Sequence, residues 1–200
     1  VYLPDRVSEG YGLNKSALDQ IKEQGVSLVI TVDNGIRNKD EVDYAHRLGL
    51  EVIITDHHVP PENRSDLPAC PVIDPADAED KYPWPFLAGV GVAFKLVCAL
   101  LYQATLPAKQ KFLIAERSLD LVAVGTIADM VSLLGENRFL VKRGLSILNQ
   151  NRRLGLKALF QTAKIALDRP LEEWNVGWQL GPRLNAASRL GHANSAFALI

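Results

Sequence analysis

The sequence has little sulfur and no long apolar run. Its 200 residues include two cysteines, Cys70 and Cys98. Both lie in apolar surroundings without C-x-x-C spacing, which argues against a zinc cluster and favours buried thiols over a disulfide, hence a reducing, cytoplasmic setting. No stretch is long and apolar enough to span a membrane, and no charged leader precedes an apolar segment at the N-terminus. Without a secretory signal, the sequon Asn14-Lys15-Ser16 is an accidental match. An excess of one charge is missing too. The formal net charge is −1, so a nucleic-acid partner would have to be held by local patches or by parts outside this sequence. What is present is enough apolar residue, 48%, to bury a sizeable core in one large domain, or in one domain and the start of another. The chain opens at Val1 inside a strand-like stretch and stops in an apolar helical pattern at 196–200, so it reads as a fragment of a longer protein.

The most informative stretch is Val52-Ile53-Ile54-Thr55-Asp56-His57-His58, an aliphatic run ending on one carboxylate and two imidazoles. Such a run reads as a buried parallel strand whose carboxyl end opens into a loop, where open α/β sheets place their ligands. Val26 to Gly35 has the same form and ends on Asp33-Asn34-Gly35. As neighbouring parallel strands, the two runs would bring Asp33 beside His57. Between them, Asn38 to Glu41 reads as a capping box, with Val42, Ala45 and Leu48 as the buried stripe of a helix. Upstream, Val1 to Pro4 reads as the tail of a strand, and Asn14 caps a helix that buries Leu18 and Ile21 and ends near Gly25. The order is strand, helix, strand, helix, strand, with parallel strands and right-handed crossovers.

Further along, Val59 to Pro68 is a Pro-rich loop, and Cys70 to Pro75 holds a short last strand. In the loop from Ala76 to Phe86 an aromatic could stack on a base, although a rigid loop packed on Trp84 is the plainer account. Gly89 and Gly91 open a helix to about Tyr102, where bare backbone N–H groups can meet an anion or simply pack closely. Asp129, in the nearly all-apolar run from Leu119 to Leu134, reads as a carboxylate buried in a helix, needing an arginine, a hydrogen-bond network or a metal. Helices are expected to about Asn149 and over Leu156 to Leu167. Arg183, Asn185 and Arg189 cluster near a helix start, which suits phosphate oxygens or a capping and ion-pair cluster. Arg6, at a strand end, suits phosphate too, although a surface ion pair is the plainer account.

Asp56-His57-His58 after an aliphatic strand resembles the signature of the DHH phosphoesterase superfamily. The segments Thr31 to Ile36, Leu87 to Phe94, Val124 to Asp129 and Gly181 to Arg189 are similar to those of its RecJ family, exonucleases that degrade single-stranded DNA from the 5′ end. The resemblance spans nearly the whole chain. It implies a Rossmann-like parallel sheet flanked by helices over residues 1–150, a phosphoesterase core, and a helical segment over 151–200. It makes Asp33 the carboxylate bridging two divalent ions, His57 and Asp129 ligands of one of them, and His58 the histidine facing the scissile phosphate. Asp56 is expected to orient a histidine, while Arg183, Asn185 and Arg189 match a motif near the substrate path. Arg6 and the Gly89–Gly91 turn are expected to position phosphate. Ser188 stands where the family usually has glycine.

A first family motif, an Asp-x-Asp pair at the end of a preceding strand, is absent from these residues, and so is a later DNA-binding domain. The fragment alone is therefore expected to bind metal poorly and be nearly inactive. Carboxylates with imidazoles suit Mn²⁺ or Mg²⁺. The resemblance also implies roles in DNA repair and recombination, a monomer, and recruitment by a helicase or single-strand-binding protein. Three alternatives share much of this pattern: a phosphoesterase acting on oligoribonucleotides, cyclic dinucleotides or pyrophosphate; a non-catalytic replication scaffold; and a plain dinucleotide-binding sheet.

Overall fold

The computed structural model describes residues 1–5, 7–150 and 153–200. Arg6, one of the expected phosphate contacts, lies outside the described residues. The chain divides into two compact units, Val1–Ala93 and Phe94–Ile200.

In the first unit, Asn14 Oδ1 accepts the backbone N–H of Ala17 at 2.7 Å and starts helix α1 (Lys15–Glu23). Strand β1 (Leu28–Val32), helix α2 (Lys39–Arg47), strand β2 (Glu51–Thr55) and the short β3 (Val72–Ile73) follow. The sheet is parallel throughout, in the order β1-β2-β3, with Val32 opposite Thr55 and Thr55 opposite Ile73. Leu18 of α1 and Val42 and Ala45 of α2 pack with Val52 and Ile54 of β2 into one buried cluster. Burying these aliphatics drives the docking of both helices on the sheet.

Val1 to Pro4 lies in no strand, because no described strand pairs with it. It borders instead a cleft of about 560 Å³ whose other wall includes Leu28, Ile30 and Val32 along the outer side of β1. Those three side chains are about half exposed. Asn38 makes no side-chain bond to the α2 backbone, and its own N–H goes to Gly35 O at 2.9 Å; its Nδ2 donates to Glu41 Oε2 at 3.0 Å instead, so neither bond of the expected capping box forms.

Helix α3 (Gly89–Gln103) begins in the first unit. The second unit contains α4 (Ala108–Ala128), α5 (Gly135–Leu148), α6 (Leu154–Thr162), a π-helical turn (Asn175–Leu180), α7 (Gly181–Leu190) and α8 (Asn194–Leu199). Its core joins Val124 and Ile127 with Val141, Leu145, Leu156, Phe160, Val176 and Leu180. A Cβ on Gly144 would come within 2.6 Å of the Ala123 Cβ, so glycine permits the close contact of α5 with α4. Helix α6 ends at Thr162, short of the expected Leu167. Lys164 takes a left-handed φ of 53°, and the Ile165 N–H turns back to Phe160 O.

The buried carboxylate of α4 is Asp120, 5% exposed, and the Arg153 guanidinium clasps it through Nε at 2.6 Å and Nη2 at 3.0 Å. Asp129 is exposed, which corrects the expected buried helical position. The α4 helix stops at Ala128, leaving Asp129 as its C-cap, and Met130 follows with φ 59°. A residue one step past the last helical turn no longer shares the stripe that buries Val124 and Ile127.

Candidate metal centre

The first two strands of the sheet end on the residues that carry the chemistry. β1 leaves its last residue through Asp33, whose N–H still donates to Thr55 O at 2.9 Å while its φ of 67° turns the chain out of the sheet. Thr31 Oγ1 donates to Asn34 O at 2.6 Å and closes the turn. β2 runs on into Asp56, held in register by its N–H to Ile73 O at 3.0 Å. Parallel pairing thus puts both strand ends at one edge, where crevices of open α/β sheets bind ligands.

Asp56 is 1% exposed and works as an anchor. Its Oδ1 accepts from the backbone N–H of His57 at 2.8 Å and lies 2.7 Å from His58 Nδ1; its Oδ2 accepts the N–H of Ile36 at 2.9 Å. With an ionised carboxylate as partner, His58 carries its proton on Nδ1 and turns the Nε2 lone pair the other way. The same carboxylate therefore fixes the loop after β1, the loop after β2 and one imidazole. His57 points to the neighbouring strand end, with Nε2 2.9 Å from Asp33 Oδ1. The two imidazole centroids are 4.6 Å apart. Asp33, His57 and His58 each present a ligand-type atom, and these atoms lie within 4.8 Å of one another. One carboxylate and two imidazoles at that spacing fit a single divalent cation, hard to intermediate in character.

Gly89, the first residue of α3, closes the other side of Asp33. A Cβ there would stand 2.7 Å from both Cβ and Cγ of Asp33, so the helix start and the carboxylate share space that only glycine leaves. Gly91 is buried one step further in. Tyr11 joins the same edge: its hydroxyl donates to Asp33 O, and its ring meets the His58 ring edge-on at 6.1 Å. In the second unit, α7 carries Arg183, Asn185 and Arg189, all exposed, with Arg183 Nη1 donating to Gln179 O at 2.7 Å.

Two further residues have no counterpart in the sequence reading. Asp74 follows β3 and stands opposite Asp56 once the strand register is continued by one residue. It is 1% exposed; Oδ1 accepts the Ala76 N–H at 2.9 Å, and Oδ2 has no hydrogen-bond partner among the described residues. Burial pushes its carboxyl up to about 6, and the nearby Asp56 charge adds to the rise. Its signal was present in the sequence, because the third strand ends on aspartate as the first two do. Asn137, fully buried at the start of α5, donates from Nδ2 to Ser132 O at 3.0 Å and ties down the segment after Asp129. Nothing in its sequence context marks it.

The chain is similar to known proteins along its whole length. It is 46% identical over 199 residues to the single-stranded-DNA-specific exonuclease RecJ of Bacillus subtilis, covering 100% of this chain and 24% of that protein. With the RecJ of Escherichia coli it shares 40% over 205 residues, covering 99% of this chain and 35% of that protein. The chain thus spans about a quarter to a third of the length of these curated relatives. A crystal structure of exonuclease RecJ bound to manganese superposes with a TM-score of 0.80 at 36% identity, covering 98% of this chain and 46% of that one. The family model for the N-terminal domain of the DHH family matches residues 1–126, and the chain belongs to that family.

Proposed function

We propose that this chain is the central part of a metal-dependent exonuclease that hydrolyses phosphodiester bonds of single-stranded DNA from the 5′ end, in repair and recombination. The observation that carries the reading is the convergence of Asp33, His57 and His58 at the carboxyl edge of the sheet. The names of the relatives supply the substrate. In this reading residues 1–150 form the phosphoesterase core, and 151–200 lead towards a later domain.

Two Mn²⁺ or Mg²⁺ ions, when bound, neutralise the phosphodiester and supply an activated water. Asp33 would hold both ions, and His57 and Asp129 would complete the shell of one. His58, its Nδ1 committed to Asp56, directs Nε2 at the scissile phosphate, where an imidazole stabilises charge or assists the leaving oxygen. Asp56 keeps both histidine backbones and the β1 turn in place. Arg6, the Gly89–Gly91 turn, Arg183, Asn185 and Arg189 would position phosphates along the strand.

Asp33 and His57 at the strand edge, together with Asp129, are too few ligands for two ions, so the reading requires the family's Asp-x-Asp pair from an upstream strand. The outer side of β1 and the adjoining cleft support a place for that strand. No described helix is long and apolar enough to cross a membrane. A cytoplasmic monomer that meets a helicase or single-strand-binding protein belongs to the same reading.

The test is turnover by the longer protein with Mn²⁺. Release of nucleotides from the 5′ end of single-stranded DNA, lost in Asp33→Ala and His57→Ala, is the expected result. Turnover confined to short RNA or pyrophosphate would reassign the substrate, and no turnover on any of them would leave a scaffold.

A further inference from the structure

We infer that Trp174, the helical residue just before the π-helical turn, and Trp178, within it, form a stacking platform for the bases of single-stranded DNA. The inference rests on the nuclease reading above and adds a binding element that the phosphate-contacting arginines do not provide. In this turn, residues four apart share a side, because i→i+5 bonding takes more than four residues per turn. Val176 and Leu180 demonstrate it: both are 1% exposed and belong to the core of the second unit. Trp174 and Trp178 are another such pair, and they are 58% and 68% exposed. Between the pairs, Asn175 Oδ1 accepts the N–H of Glu172 at 2.9 Å and its Nδ2 donates to Gln179 Oε1 at 3.0 Å, which stiffens the turn. Two large indoles are thus held outwards on an ordered backbone anchored from beneath.

The charge on the C-terminal side of the indoles fits a polyanion, whereas Glu172 and Glu173, both exposed, lie on their N-terminal side. From Trp174 to Ile200 there is no acidic residue, whereas Arg183 and Arg189 are both present and exposed. The whole chain carries a net charge of −1, and the run after Glu173 is locally cationic. The π turn runs without a break into α7, which brings the indoles and the two guanidinium groups onto one continuous helical run. Exposed aromatic rings followed by arginines on the same helical run are what single-strand binding needs: every base has a face to stack, and the backbone needs neutralising charge. A duplex hides its base faces, so such a platform also favours single strands.

The experiment uses the longer protein with metal withheld, and measures binding of a fluorescent oligo(dT) by anisotropy over a range of salt. Trp174→Ala and Trp178→Ala are each expected to weaken binding roughly tenfold. The corresponding Phe variants should recover most of the affinity, and the salt slope should stay unchanged, because stacking releases no counterions. Unchanged affinity in both Ala variants would overturn the inference. So would an equal loss for duplex DNA, or indoles shielded from acrylamide in the unliganded protein, which would mean that another part of the protein covers them. If the wild type degrades single strands while the Ala variants bind normally, only the platform fails. A wild type that neither binds nor degrades single strands removes the nuclease reading and the platform with it.

Discussion

A Cβ on Gly89 would stand 2.7 Å from both the Cβ and the Cγ of Asp33, so the start of α3 and the carboxylate at the end of β1 are fitted to each other. Contacts that short force movement, and Asp33, partly exposed after its left-handed turn, is the side able to move. Gly89→Ala is expected to displace the carboxylate from His57 and lower Mn²⁺ affinity about tenfold or more. Titration of Mn²⁺ binding, alongside a melting curve, checks it; unchanged affinity with an unchanged melting temperature would show that the contact relaxes elsewhere.

Asp56→Asn keeps the shape but loses the charge that receives His58 Nδ1–H. The expected outcome is a fall of about 10- to 100-fold in metal affinity or turnover. Replacing a charged acceptor of several N–H donors also costs about 1–3 kcal/mol of stability. A variant with wild-type turnover would mean that His58 needs no such partner.

Asp74 gives the pH dependence a sign. Its folded-state value of about 6 lies above the ordinary 3.8. As pH rises the unfolded chain therefore releases this proton first, and the contribution of Asp74 to stability falls between about pH 4 and 6, then levels off. Asp74→Asn should stabilise the metal-free protein by up to about 3 kcal/mol at pH 7 and by little at pH 3.5. Unfolding in EDTA at the two pH values measures the difference, and an equal effect at both would contradict the assignment.

Arg183→Ala is expected to weaken single-strand binding and reduce the salt slope by about one counterion. An unchanged slope would leave the guanidinium its structural bond to Gln179 O.

Much of the fold could be read from the sequence because the aliphatic runs that end on Asp33 and Asp56 are short, continuous and punctuated by turn residues. Their parallel pairing follows from the helical connection between them. The misreadings have local causes. Val1 to Pro4 looks like a strand, but a strand exists only with a partner. The sequence puts Asp129 inside a helix because apolar residues surround it; Met130, with its left-handed backbone, ends the helical stripe there without the glycine that usually marks such a turn. Asp120 carries no local signal, since its partner, Arg153, lies 33 residues away. Asp33 and His57 could be paired from strand order alone. Gly89 against Asp33, and Tyr11 against His58, needed the tertiary packing of loops whose sequences carry no periodicity.

The most direct test of the central claim is nucleotide release by the longer protein with Mn²⁺ from 5′-phosphorylated single-stranded DNA, duplex DNA, short RNA and pyrophosphate, with His57→Ala as control. The account predicts degradation of the single strand from its 5′ end, abolished by the substitution. Degradation that persists in His57→Ala, or turnover of only the small substrates, would contradict it.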